Sequence, residues 1–161
     1  MHPNVARVAA AAERLGVPVE PSEFPAGTRT AADAAAALGC DVAQIVKSLV
    51  FVLDGAPVMA LVSGANRLDE ARLAVALGGT QVACADADAV RDATGFAIGG
   101  VAPFGHPSSL PTAIDEDLLD HVVVWAAAGT PNHVFPLSPG DLVQLTDGVV
   151  HPLRTVSADG G

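Results

Sequence analysis

Apolar residues in the first segment recur at helical spacing: Val5, Val8, Ala9, Ala12 and Leu15, with Asn4, Arg7, Glu13 and Arg14 elsewhere on the wheel. A helix over residues 3–15 is expected, stopped by Gly16. Residues 17–24 read as a short strand, and the prolines at 18, 21 and 25 push it to a sheet edge because they donate no backbone hydrogen bond. Thr30 is a suitable N-cap for a second helix over 31–38, which Gly39 ends. Two apolar runs follow, 44–53 and 57–63, around an Asp54-Gly55 pair that signals a hairpin. Ala56 and Pro57 suggest a loop longer than the tightest kind.

Beyond the hairpin the pattern gives a helix over 68–77, a strand over 80–85 and a short helix over 86–94 capped by aspartate. Residues 96–106 form a glycine-rich strand and loop, 110–114 a short strand and 115–120 a helical turn. The unbroken apolar run 122–127 has strand length, 133–137 is its expected neighbour, and Ser138 caps a last helix around 141–145. Short strands interspersed with helices, without a regular βα repeat, predict an α+β domain: a mixed sheet or barrel flanked by helices. One domain over 1–156 and a loose tail over 157–161 are expected, with no internal repeat.

Composition supports a packed core, since half of the residues are hydrophobic; aromatics are only 4 %, so aliphatic side chains and alanine must fill it. Cys40 and Cys84 are far apart among small or apolar neighbours, a usage that suits reduced thiols. No basic leader precedes an apolar run, and no stretch reaches the roughly 18–20 apolar residues of a membrane span. A cytoplasmic protein with no membrane partner is the expectation. The net charge of −10 opposes a surface that grips nucleic acid by counterion release. DNA is therefore excluded as a partner, and any RNA contact should be small and local.

Lys47 is the only lysine. It lies in a strand whose two faces are both largely apolar, where an ammonium is costly unless paired. Either it snorkels to solvent or to a carboxylate, or it points into a pocket that holds an anionic or hydroxyl-rich substrate. The glycine-rich segment from Thr94 to His106 contains Gly99, Gly100 and Pro103, where backbone amides can approach a ligand and a proline stiffens the loop. Such amides can stabilise the oxygen that becomes negative when an ester carbonyl is attacked. His133 lies at a loop-to-strand junction, where side chains are commonly offered to ligands. Ser63, Thr94, Gly95 and Gly129 are the accompanying candidate substrate-binding positions. The five histidines show no metal-ligand spacing, so neither metal nor cofactor is expected. No Gly-x-Ser-x-Gly elbow, phosphate-binding loop or dinucleotide fingerprint occurs.

Taken together and in order, several segments resemble the YbaK/EbsC family, the prolyl-tRNA synthetase-associated editing domains. They are Gln44-Ile45-Val46-Lys47-Ser48-Leu49, the Thr94 to His106 segment, Leu110-Pro111-Thr112-Ala113-Ile114-Asp115, and the stretch from Ala128-Gly129 to Leu142. The similarity covers nearly the whole chain, to about Thr146. It implies a barrel-like mixed fold and a pocket for the aminoacylated 3′ end of tRNA, with Lys47 as the hallmark active-site residue and the Gly-x-x-x-Pro motif on Gly99 to Pro103. It also implies that His133 marks members acting on alanyl or similar small groups rather than the YbaK subgroup proper.

The expected activity is that of a trans-acting aminoacyl-tRNA deacylase, removing a small residue such as Ala, Ser or Cys from tRNA(Pro), with prolyl-tRNA synthetase as the implied partner. An aminoacyl ester is already activated, so placement and oxyanion stabilisation matter more than a covalent nucleophile. Lys47 would bind the terminal adenosine, the amides of Gly99 and Gly100 would polarise the carbonyl, and His133 would orient water or the amino group. Two alternatives remain open from the residues: a non-catalytic tRNA- or synthetase-binding module, and a small-ester hydrolase unrelated to tRNA.

Overall fold

The computed structural model describes residues 2–24 and 30–156; the expected tail over 157–161 and Pro25 lie outside these. The first helix, α1 (Pro3–Arg14), begins with Pro3 in its first turn, and the His2 side chain accepts the Asn4 N–H. Its buried stripe is Val5, Val8, Ala11 and Ala12, and Gly16 turns the chain away with φ of 82°. The strand expected over 17–24 contracts to β1 (Ser22–Glu23). Pro18 and Pro21 lack the amides a longer ladder requires.

Helix α2 (Ala31–Leu38) carries a reciprocal capping box between Thr30 and Asp33 and ends on Gly39 in the left-handed conformation. A 3-10 turn (Val42–Gln44) leads into β2 (Val46–Leu53), which pairs antiparallel with β3 (Ala56–Ser63). Leu53 faces Ala56, so the hairpin loop is the tight two-residue kind and not the longer one expected. Asp54 and Gly55 both have positive φ, 50° and 87°, the requirement of a type I′ turn. Pro57 fits because it opposes Val52 one position past the closing pair, where an antiparallel ladder needs no amide.

Helix α3 (Glu70–Leu77) starts after Leu68, because the Asp69 side chain caps it and Leu68 forms a bridge with Arg154. Next come β4 (Val82–Cys84) and α4 (Ala87–Thr94), capped by Asp86. The strand expected within 96–106 does not form; that segment is loop throughout, followed by β5 (Thr112–Asp115) and a 3-10 turn (Glu116–Asp120). The remaining elements are β6 (Val124–Ala127), β7 (His133–Leu137), α5 (Pro139–Thr146) and an unexpected β8 (Val149–His151).

The strands form two sheets, ordered β1-β7-β6 and β4-β2-β3-β5-β8. The first is antiparallel, and the second becomes parallel where β3 meets β5 and β5 meets β8. A bridge from Ile45 to Trp125 joins them, giving a partly closed, barrel-like α+β architecture. The main core lies inside it, with Phe96, Phe135, Met59, Leu61, Ile114 and Leu142 fully buried. A second cluster packs Leu73 and Ala74 of α3 on the opposite face of β3, against Val58, Ala60 and Val62. Among the described residues no helix is long and apolar enough to cross a membrane.

Candidate active site

Strand β4 pairs only with Phe51, Val52 and Leu53, so among the described residues the first half of β2 has no strand neighbour on that side beyond the Ile45–Trp125 bridge. A cleft of about 730 Å³ opens along this free edge. Its floor is the run Val46 to Phe51; the glycine-rich loop contributes Ile98, Gly99 and Val101, and the 127–134 segment contributes Thr130, Pro131 and His133. Phe24, Phe51 and Trp125 give it aromatic walls. Lys47, Gly99 and His133, named from sequence as three separate candidates, line this one cleft.

Lys47 is half-buried, and its Nζ donates to the backbone carbonyl of Asn66. Burial pushes its pKa below the ordinary lysine value, and the negative charge of Asp115 partly offsets that. Asp115 is fully buried. Its carboxylate accepts the Ser63 N–H at 3.1 Å, an Asn66 Nδ2 hydrogen at 2.8 Å and the Asp117 N–H at 3.0 Å. Asn66 Nδ2 also donates to Asp117 at 2.7 Å, and Arg154 stands 3.7 Å from the same carboxylate.

In the loop, Ala97 to Gly100 form a tight turn closed by the Gly100 N–H on the Ala97 carbonyl, with Gly99 at φ 93°. Positive φ at the third position of such a turn favours glycine. The Gly100 amide is thereby used inside the loop, which removes it from the pair of oxyanion donors expected from sequence. The Gly99 N–H has no acceptor among the described residues. Gly100 has a different function: a Cβ there would lie 2.7 Å from the backbone of Thr130, so the two cleft loops touch only because position 100 has no side chain.

His133 Nδ1 is 2.6 Å from Thr130 Oγ1, and its Nε2 is 3.5 Å from the Glu23 carboxylate across the β1–β7 pair. The Thr130 hydroxyl also accepts the Asn132 N–H, and the ring is held between that hydroxyl and the Glu23 carboxylate.

The other candidates do not line the cleft. Pro103 borders a separate hollow of about 300 Å³ beside His106 and Leu145. Ser63 is buried, its hydroxyl donating to the Ala43 carbonyl. Thr94 is also buried; its Oγ1 donates to the Val90 carbonyl and accepts the Phe96 N–H, closing α4. Gly95 and Gly129 anchor the cleft loops to α1. The Gly95 carbonyl accepts from Arg7, whose guanidinium lies 4.2 Å over the Phe96 ring, and the Gly129 carbonyl accepts from Asn4. A side chain at either glycine would collide with Arg7 or Asn4.

Ser48 and Thr130 escaped sequence reading. The Ser48 hydroxyl is buried in the cleft wall without a hydrogen-bond partner. Its only sequence signal is adjacency to the lone lysine. Among the described residues no group of three or more His, Cys, Asp or Glu side chains could hold a metal ion.

A profile for the aminoacyl-tRNA editing domain matches residues 25–145. The chain belongs to the aminoacyl-tRNA editing domain family. This editing domain is 30 % identical over 127 residues to the Enterococcus faecalis protein named "Putative Cys-tRNA(Pro)/Cys-tRNA(Cys) deacylase EbsC", covering 78 % of this chain and 77 % of that one. It is 37 % identical over 118 residues to a proline–tRNA ligase from Geobacter sp. (strain M21); the match takes in 73 % of this chain but 20 % of the ligase. A crystal structure described as a "putative trans-editing enzyme for prolyl tRNA synthetase" superposes with a TM-score of 0.91 at 46 % identity, over 96 % of this chain and 99 % of that one.

Proposed function

We propose that this editing domain is a trans-acting aminoacyl-tRNA deacylase that hydrolyses the ester joining a small amino acid such as Ala, Ser or Cys to tRNA(Pro). The observation that carries the reading is the convergence of Lys47, Gly99 and His133 on one cleft, whose volume lies within the roughly 300–1,000 Å³ typical of small-molecule sites. In the proposed reaction the Lys47 ammonium holds the phosphate or ribose hydroxyls of the terminal adenosine. The Gly99 N–H receives the carbonyl oxygen as it becomes negative, and water attacks the carbon. The proton from water leaves with the ribose hydroxyl, so amino acid and free tRNA are the products. His133, with Nδ1 on Thr130 and Nε2 towards Glu23, serves as a fixed wall and dipole beside the amino group.

Selectivity then follows from size, because one methylene in a pocket is worth only about 1–3 kcal/mol and exclusion is the stronger filter. The test is a panel of tRNA(Pro) species charged with Ala, Ser, Cys and Pro, with free aminoacyl esters as controls. The expected result is hydrolysis of one or more of the small-residue species, sparing of Pro, and loss of activity in Lys47→Ala. Deacylation by Lys47→Ala at the wild-type rate would defeat the assignment. One observation favours a second reading, a tRNA- or synthetase-binding module without catalysis: the Lys47 ammonium already has a protein acceptor. No hydrolysis of any charged species by the wild-type chain would select that reading.

A further inference from the structure

The polar cluster behind Lys47 is more elaborate than a lone strand lysine requires. It draws on β2 for Lys47, the end of β3 for Ser63, the turn after it for Asn66, the end of β5 for Asp115, and the 3-10 turn for Asp117. The parallel pairing of β3 with β5, Leu61 beside Ile114, brings the two strand ends together. Asp115 Oδ2 then receives both the Ser63 N–H and the Asn66 side-chain amide, while the Asn66 N–H closes on the Ser63 carbonyl at 2.9 Å. These bonds fix the turn whose outward carbonyl, that of Asn66, accepts the Lys47 ammonium. The Ser63 hydroxyl ties the same turn to Ala43, and Gly64 donates to the Ile45 carbonyl just before β2.

We infer that Asp115, acting through the Asn66 turn, is a positioning residue that holds the Lys47 ammonium in register with the ester substrate. The inference rests on the deacylase reading for the substrate, but not for the clamp itself. A buried carboxylate is retained only where donors and charge compensate it. Here three N–H groups supply the donors, and Lys47 is the cation whose charge the carboxylate favours. Arg154 pairs with Asp117, and its side chain is largely exposed.

The lone lysine makes the test direct, because selective 15N-lysine labelling gives a single side-chain resonance. Asp115→Asn and Asn66→Ala would be compared with wild type by titration of that resonance and by single-turnover deacylation. In Asp115→Asn the lysine should titrate at lower pH than in wild type. The maximal rate should fall by about 10²-fold, the scale of a misplaced catalytic group, with little change in the half-saturating tRNA concentration. Asn66→Ala should broaden or shift the Lys47 signal and lower the rate in the same sense; it serves alone should Asp115→Asn fail to fold. An unchanged lysine titration in a folded Asp115→Asn protein, or an unmoved lysine signal in Asn66→Ala, overturns the proposal. If the lysine responds as expected while wild type deacylates nothing, the clamp stands and the deacylase reading falls.

Discussion

Two adjacent glycines in the cleft loop ask for glycine on different grounds, and substitution separates them. At Gly99 a methyl group would meet only Pro131, at 3.8 Å, so Gly99→Ala faces the cost of positive φ, about 1–2 kcal/mol. At Gly100 the methyl would lie 2.7 Å from the Thr130 backbone, which cannot rotate away. Gly100→Ala should therefore force the two loops apart, lowering urea-unfolding stability by about 1–3 kcal/mol, the usual range for overpacking. Under the deacylase reading it should also reduce turnover, since Gly99 and His133 sit on the loops being separated. If it is as stable and active as wild type, the contact does not govern cleft geometry. Lys47, Gly99 and His133 could be picked out in the sequence because each is unusual where it stands: a lysine in an apolar strand, a glycine pair, a histidine at a junction. Ser48, Asn66 and Asp115 could not, because ordinary polar residues gain meaning only from long-range neighbours.

Helix α1 acts as a brace for both cleft loops. Asn4 holds the Gly129 carbonyl, and Arg7, one turn later, holds that of Gly95 while lying over Phe96. Arg7→Ala should loosen the 95–106 loop, seen as faster exchange of the Gly100 amide, which closes on the Ala97 carbonyl, with Lys47 unaffected; unchanged exchange would show that Phe96 packing alone suffices. The hairpin offers a pH test. Asp54 accepts hydrogen bonds from Gln81 and Thr80, foremost the Gln81 N–H, and its pKa is depressed accordingly. A carboxyl depressed on folding adds stability above its unfolded pKa, near 3.9, and loses it as the pH falls through the lower folded value. Asp54→Asn keeps a residue tolerant of positive φ, so the acid limb of its stability curve should be shallower than that of wild type. Equal acid limbs would rule Asp54 out as a contributor.

The helices were legible where local chemistry was complete: Thr30 and Gly39 bracket α2, and Asp86 opens α4. Strand β8 was not, because it has three residues, two of them exposed valines, and so no alternation to detect. The overexpected strand in 96–106 failed for the converse reason: its apolar residues, Phe96, Val101, Ala102 and Phe104, are buried by packing loop against core, with no ladder.

Charge and packing set two expectations for the whole molecule. His106 is largely buried beside Phe96, its Nε2 on the Ala102 carbonyl, and burial foremost lowers its pKa, with Arg7 adding to the effect. The unfolded chain then takes up the proton first, so stability is complete above the ordinary histidine value of about 6.5 and declines as pH falls below it. Melting temperatures from pH 8 to 5 should drop more steeply for wild type than for His106→Gln; parallel curves would exclude His106 as the titrating group. With a net charge of −10, uncharged tRNA should bind the isolated chain weakly, as read by filter binding across a salt series. Tight binding with a steep salt slope would reveal a basic surface that composition conceals. The fold class was legible from the mixture of short strands and helices, but the division into two sheets was not. It depends on β3 finding β5, and β1 finding β7, across long stretches of chain that carry no local sign of either pairing.

Where the two sheets meet, backbone pairing among the described residues shrinks to the single bridge between Ile45 and Trp125, and both residues stand in the cleft wall. A full ladder resists shear along its whole length, whereas a one-point joint yields like the spine of a half-bound book. Swapping the indole at that joint for a smaller ring should therefore widen admission without touching any group that meets the ester.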